Sequence, residues 1–490
     1  MSHSSQSNFK PSRADSTTLV ALSEVDRSLR FPVLFFAVCA VLWLIVANVF
    51  TLVTNIQSYQ PDFLAGLPWF TYGRLYPLAT NAMLFGWGCN AIFAIALWLI
   101  ARLSLSPVRD GGMLIIAGLF WNFGLKLGLF GILIGDLTPV ESLELPGYAT
   151  PILLIAYALI GVWGIQAFLT REKKTVNVSQ WYILAAFFWF PWIYMIAQFM
   201  VVWFPVRGVV QSVVSHWFHS SFLNLWFTPI ALAVAYYMIP KILGRPIYSY
   251  SLALFGFCSL VLVGSWAGMV AMLGGPIPVW LSSTSSVASV ILFIPVGVVV
   301  LNLFMTAAGS FTGMWHSLAL RFVLFGIVSY LLAGMLESAR AFLSVSEIVQ
   351  FTTVTTAYHQ QLTYAFVSMV LFGGLYFMIP RLSGREWPSA DLIYLHFWGS
   401  CVGIAMVVIS LFLGGLMAGA QMNNPEIPFS EISRSLVIWL KMNTLGIVCL
   451  AVGHVAFIVN LFWMLVAGNR VSSKQGSVVL ESASQEGATS

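Results

Sequence analysis

Two histidines, His216 and His219, are the first candidates for chemistry, because residues three apart on a helix share one face. A third histidine, His359, lies in a distant apolar segment and could complete a metal site if the two segments pack together. The alternative is structural: His216 would be hydrated near a membrane surface, and His359 would be a core histidine bonded to another helix. The alternative is favoured, because metal ligation also needs supporting groups around the ligands.

Three charged residues within apolar segments form a second set of candidates. Lys126 lies deep in an apolar run, and an ionisable side chain inside a membrane is a functional candidate by default. Alternatively, its amine reaches the membrane surface along the apolar stem or fills a polar pocket. Glu337 and Arg340 are three residues apart, which predicts either an ion pair on a helix surface or a buried polar network.

The composition indicates a membrane protein. Of 490 residues, 59% are hydrophobic and 8% are charged, whereas about 25% of the residues in a soluble domain are charged. Apolar runs long enough to cross a bilayer as helices recur along the chain. A β-barrel is disfavoured, because its strands alternate in shorter segments. The net charge of +5 arises largely from short basic loops and does not indicate nucleic-acid binding. The predicted fold class is an all-α polytopic membrane protein.

The elements that must position these candidates are twelve predicted membrane helices. Most Lys and Arg residues fall on one side of the predicted membrane, which places both termini in the cytoplasm. Residues 1–30 are predicted to form a cytoplasmic N-terminal tail, 31–468 the transmembrane domain, and 469–490 a disordered cytoplasmic C-terminal tail. The spans are predicted at about 31–54, 77–103, 112–134, 149–170, 181–203, 217–239, 249–273, 283–309, 318–345, 356–380, 391–419 and 435–467.

Several segments, in order along the chain, carry a family likeness. They are residues 73–82 (GRLYPLATNA), 240–250 (PKILGRPIYSY) and 375–386 (LYFMIPRLSGRE), together with Trp266-Ala267-Gly268 and Trp315-His316. These motifs resemble the catalytic subunit (subunit I) of C-family, cbb₃-type haem–copper oxidases; the nitric oxide reductase branch shares the same fold. The resemblance implies a twelve-helix bundle of the haem–copper oxidase subunit I type.

The resemblance also implies where the metal ligands should lie, and the ligand residues are missing. The family uses six histidines for two haems and one copper, because haem iron and copper take imidazole nitrogen ligands. The corresponding positions, including that of a tyrosine cross-linked to a copper ligand, are Ala79, Ser220, Gly264, Val270, Ala271, Tyr358 and Gln360. His359 lies between the last two positions and is expected to point elsewhere.

The resemblance and the lost ligands predict a non-catalytic homologue in a bacterial inner membrane. It would be a structural subunit of a respiratory or electron-transfer complex, in contact with lipid and with a membrane-anchored c-type cytochrome subunit. We expect no cofactor, and we expect aromatic and methionine side chains or lipid to fill the haem cavities. One alternative is an active cytochrome c oxidase or nitric oxide reductase with unusual haem ligands, such as Tyr358. Another is a proton, ion or small-molecule conduit that uses Lys126.

Overall fold

The computed structural model describes residues 16–108, 110–172 and 175–468, and its regular structure is helical. Within these described residues, twelve helices are long and apolar enough to cross a membrane, which confirms the predicted number and the fold class. Two short helices, Phe311–His316 and Leu343–Val349, connect some of them. The twelve are α1 (Ser16–Gln57), α2 (Tyr72–Ser104), α3 (Gly111–Ile134), α4 (Thr150–Leu169), α5 (Val178–Trp203), α6 (Val209–Leu243), α7 (Tyr250–Met272), α8 (Val279–Ala307), α9 (Leu318–Arg340), α10 (Thr353–Ser383), α11 (Ala390–Met422) and α12 (Phe429–Ala467).

Three helices, α2, α6 and α10, form the centre of the bundle. In their most apolar windows 100%, 94% and 94% of the residues are buried, against at most 56% in the other nine spans. Each of the three contains a π-helical stretch, at Ala82–Gly88, Leu223–Phe227 and Gln361–Ser368 respectively. A π-helical turn adds a residue to the helix and changes which side chains face a given neighbour, and such turns are frequent at functional sites.

The first helix begins earlier than the sequence predicted. Helix α1 starts at Ser16, so residues 16–30 are helical and do not form an irregular tail. The reason is packing, because Val25 and Leu29 are fully buried and Asp26 forms a salt bridge with Arg102 of α2. Residues 1–15 and 469–490 lie outside the described part of the chain, so the predicted tails remain predictions there.

Aromatic side chains fill the space between the central helices. Trp87 of α2 packs in a tilted arrangement against Phe372 of α10 with ring centroids 4.4 Å apart, and its indole N–H donates to the Ser368 hydroxyl. Phe85 of α2 stacks on Phe222 of α6 at 5.2 Å. The central helices therefore contact each other directly through large buried rings, which dominate core packing because each buries a large apolar area.

Candidate functional site

A small polar cavity lies where α6, α7, α9 and α10 meet the loop between α3 and α4. Its volume is about 70 Å³, far below the roughly 300 Å³ at which small-molecule pockets begin. It can hold a few waters or a hydrated ion. The lining residues are Glu141, His216, His219, Ser220, Leu223, Asn224, Gly268, Val270, Ala271, Glu337, Arg340, Thr355, Tyr358 and His359.

Three lining residues from separate elements bring possible ligand atoms together. His219 Nε2 of α6 lies 3.2 Å from His359 Nε2 of α10. The carboxylate of Glu141, in the loop between α3 and α4, lies 3.8 Å from His359 Nδ1. His359 thus faces the cavity, and the prediction that it points elsewhere is wrong, because His219 of α6 and Glu141 of the loop pack against this side of α10. The predicted bond from His359 to another helix is present, with His219 as its partner.

The Ser142 hydroxyl contacts Nδ1 of His219, the ring nitrogen that does not contact His359. The distance from His219 Nδ1 to the Ser142 hydroxyl is 2.8 Å. Ser142 is buried and its backbone has a φ of 64°. This left-handed conformation is uncommon for a residue other than glycine and costs energy. The loop therefore holds the serine hydroxyl in a strained position that orients the imidazole.

Glu337 and Arg340 form a buried pair beside the histidines. The Arg340 guanidinium donates to the Glu337 carboxylate at 3.1 Å, and both residues are buried. Ser289 donates to Glu337 at 3.3 Å, Arg340 approaches the Thr355 hydroxyl at 3.4 Å, and its guanidinium lies over the Tyr358 ring. The alternative of a surface ion pair is wrong, because α8 and α10 cover this face of α9. The polar network is the arrangement that the structure shows.

The seven positions at which the resemblance predicted lost ligands divide into two groups. Ser220, Val270, Ala271 and Tyr358 line the cavity. The other three are not among its lining residues: Ala79 is buried in α2, Gly264 packs near Asn224, and Gln360 of α10 has a buried side-chain oxygen without a hydrogen-bond partner.

Lys126 does not contribute to the cavity. It is exposed on the outer face of α3, which also exposes Phe123 and Phe130. Gly124 and Gly128 explain this orientation, because added Cβ atoms there would lie 3.0 Å from Ile152 and 2.8 Å from Leu145. Those glycines set the packed face of α3, so Lys126 points outward, and the interpretation that it fills a polar pocket is wrong.

His216 lines the same cavity but lies outside the group of three ligand atoms. Glu141, His219 and His359 are the residues whose potential ligand atoms all lie within 4.8 Å of one another. Sequence reasoning did not select Glu141 or Ser142. In the sequence these two residues are marked only by the acidic character of the loop at residues 135–149. That character does not show which helices the side chains of the loop contact.

A second carboxylate of this loop, Glu144, is buried against α2. Its side chain accepts a 2.9 Å hydrogen bond from the Asn81 amide. Burial raises the pKa of the Glu144 carboxyl from 4.5 to about 7, and the bond from Asn81 only partly opposes this rise. Asn81, a polar residue within an otherwise apolar helix, therefore has its partner in a loop.

The raised pKa of the Glu144 carboxyl predicts how the stability of the protein depends on pH. Between about pH 4.5 and pH 7 the folded protein holds a proton that the unfolded chain releases. The free energy of unfolding should therefore fall by roughly 3 kcal/mol as the pH rises through this window, and the contribution should level off above it. Glu144→Gln, which preserves a polar partner for Asn81, should remove this part of the slope. Thermal unfolding in detergent across the window tests this, and an unchanged slope in the variant would contradict it.

Fold and site together define a class: a multi-pass membrane protein in which two of the three most buried helices, α6 and α10, line a small polar cavity. Residues 31–449 match the family model described as cytochrome c and quinol oxidase polypeptide I. The chain belongs to this family and is a haem–copper oxidase subunit I-like membrane protein.

Individual relatives agree with this assignment. The chain is 25% identical over 470 residues to a cytochrome c oxidase subunit 1 homologue of Azorhizobium caulinodans, covering 91% of this chain and 84% of the relative. It is 26% identical over 395 residues to the cbb₃-type cytochrome c oxidase subunit CcoN1 of Stutzerimonas stutzeri, covering 78% and 82% of the two chains. A haem–copper terminal oxidase dimer solved by electron cryomicroscopy shares the fold, with a TM-score of 0.72 and 14% identity over 97% of this chain and 92% of that chain.

The residues present do not fit the haem and copper groups that the family implies. Ala79, Val270 and Ala271 carry no nitrogen, oxygen or sulfur in their side chains, so they cannot ligate iron or copper. The cavity where the resemblance places the copper ligands has a volume of about 70 Å³, which is too small for a macrocycle of haem size. We therefore derive no reaction through these groups.

Proposed function

We propose that this chain is a non-catalytic homologue of the oxidase catalytic subunit, which serves as a structural subunit of a respiratory or electron-transfer membrane complex. The observation that carries the proposal is the pair Val270 and Ala271, which line the cavity where the resemblance places two copper-ligating histidines.

The location and partners follow from the same likeness. The relatives are bacterial oxidase subunits, so we place the chain in a bacterial inner membrane, and the basic loops place both termini in the cytoplasm. The proposed partner is a membrane-anchored c-type cytochrome subunit, as in cbb₃-type oxidases. Exposed apolar side chains such as Phe123 and Phe130 of α3 are available to lipid or to such a subunit.

A cofactor assay tests the proposal directly. The full-length chain, purified on its own in mild detergent, should give no haemochrome absorbance above a mock preparation and no copper above background. The matched control is the CcoN1 relative from Stutzerimonas stutzeri, prepared in parallel. Stoichiometric haem in this chain would contradict the proposal and favour the alternative of an active oxidase or nitric oxide reductase with unusual ligands.

The choice of partner is tested in the same preparation before stringent washing. A haem stain after denaturing electrophoresis detects covalently bound haem, so a co-purifying c-type cytochrome would appear as a separate band. If no haem-stained protein is recovered with this chain after crosslinking in native membranes, the proposed partner is wrong. The conduit alternative has no comparable support, because Lys126 lies on the outer face of α3 and not in the cavity.

A further inference from the structure

We propose that Glu141, His219 and His359 form a binding site for a single divalent transition-metal cation of the zinc class. These ligands differ from the positions at which the resemblance places the copper ligands, namely Ser220, Val270 and Ala271. The inference goes beyond the proposed function, because it concerns neither haem nor a structural partner.

The spacing of the two imidazoles suits a shared metal ion. Zinc binds histidine nitrogen at about 2.0–2.1 Å, so two nitrogens in a tetrahedral site lie about 3.3 Å apart. The Nε2 atoms of His219 and His359 are 3.2 Å apart and come from two different helices. The three potential ligand atoms lie within 4.8 Å of one another. The Glu141 carboxylate lies 3.8 Å from His359 Nδ1, so the proposal requires this half-exposed side chain to turn towards the two Nε2 atoms when the ion binds.

A residue beside His219 supplies the supporting hydrogen bond that a metal-binding histidine needs. A metal-bound histidine usually donates its other ring N–H to a polar partner, which fixes the tautomer. With Nδ1 protonated, His219 donates to the buried Ser142 hydroxyl at 2.8 Å, and its Nε2 lone pair then faces His359. Ser142, which makes this contact, has a left-handed backbone with a φ of 64°.

The ligand set and the cavity define the kind of ion. Two imidazoles and one carboxylate are a set that zinc uses when a fourth position remains open to water. The cavity of about 70 Å³ leaves room for that water. Glu141 is half exposed, with 51% of its side chain accessible, so an ion can reach the site along the loop between α3 and α4. The buried charge of Arg340 is offset by Glu337.

Zinc titration of the full-length protein in detergent, after removal of metals with a chelator, tests the site. The wild-type chain should bind one equivalent of Zn²⁺ by calorimetry. His219→Ala and His359→Ala should each weaken binding at least 100-fold. The matched control is His216→Ala, on the same helix and in the same cavity, which should bind as the wild type does. Equal binding by all four proteins, or no stoichiometric binding by the wild type, would overturn the proposal.

Two further variants separate ligation from folding. Glu141→Gln changes a half-exposed loop residue, so it should weaken Zn²⁺ binding while leaving the thermal stability of the metal-free protein unchanged. Ser142→Ala should weaken binding by about 10–100-fold, the usual cost of losing such a supporting hydrogen bond. It should also alter the visible spectrum of bound Co²⁺, which reports ligand geometry. Unchanged affinity and an unchanged spectrum in both variants would overturn the assignment, whatever the haem content of the protein.

Discussion

Arg340→Met is expected to lower the free energy of unfolding by about 3–5 kcal/mol. The arginine and Glu337 are both buried and bonded at 3.1 Å, so removal of the cation leaves a buried carboxylate without its partner charge. Breaking a buried pair on one side typically costs this much, because desolvation of the remaining charge is no longer offset. The Ser289 hydroxyl, at 3.3 Å from Glu337, can offset only a small part.

The double variant Glu337→Gln with Arg340→Met is the informative comparison. Removing both charges removes the unpaired carboxylate, so the double variant should be more stable than Arg340→Met alone. Unfolding in detergent can be followed by tryptophan fluorescence, since the chain has 19 tryptophans. If the double variant is as unstable as the single one, the cost comes from lost packing of the arginine on Tyr358, and the argument from charge is wrong.

Arg102→Met is expected to have an effect of similar size at the C-terminal end of α2. Arg102 forms a salt bridge with Asp26 of α1, and their side chains are only 5% and 12% exposed. Trp98 also donates to Asp26, and Arg102 donates to the Tyr237 hydroxyl of α6. Loss of the guanidinium leaves Asp26 with one neutral donor, which should cost about 3–5 kcal/mol. The first helix should also loosen, because this network fixes α1 to α2.

Arg434→Met provides the matched control for this substitution. Arg434 is exposed on α12, so the same chemical change there should alter the free energy of unfolding by less than about 0.5 kcal/mol. Hydrogen exchange of residues 20–30 would report loosening of α1 directly. Protection in Arg102→Met equal to that in Arg434→Met would show that the bridge does not hold the helix.

The twelve helices were predictable because the bilayer imposes a local requirement. In a hydrocarbon environment every backbone N–H and C=O must be bonded within the segment, so a long apolar run has to be a helix. The start of α1 was not predictable in this way. Residues 16–30 are polar and charged in part, and they are helical because Val25, Leu29 and Asp26 find partners on other elements.

The face that each helix turns inward depends on its neighbours, and this limited the prediction of the site. Lys126 is a functional candidate from its depth in an apolar run, but Gly124 and Gly128 turn the opposite side of α3 towards Ile152 of α4 and Leu145 of the preceding loop. His359 was expected to face away from the cavity, yet it meets His219 there. Glu141 and Ser142 reach the same place from a loop, for which no periodicity exists.

By itself the sequence determined the fold class, the number of helices and which residues stand at the positions where the resemblance predicts ligands. Those properties depend on residue type and on local hydrophobic runs. Only the tertiary structure decided that Glu141, His219 and His359 meet, since they are separated along the chain and belong to three different elements. Their meeting depends on packing of α6 against α10 and on the strained turn at Ser142, which are contacts that no local pattern specifies.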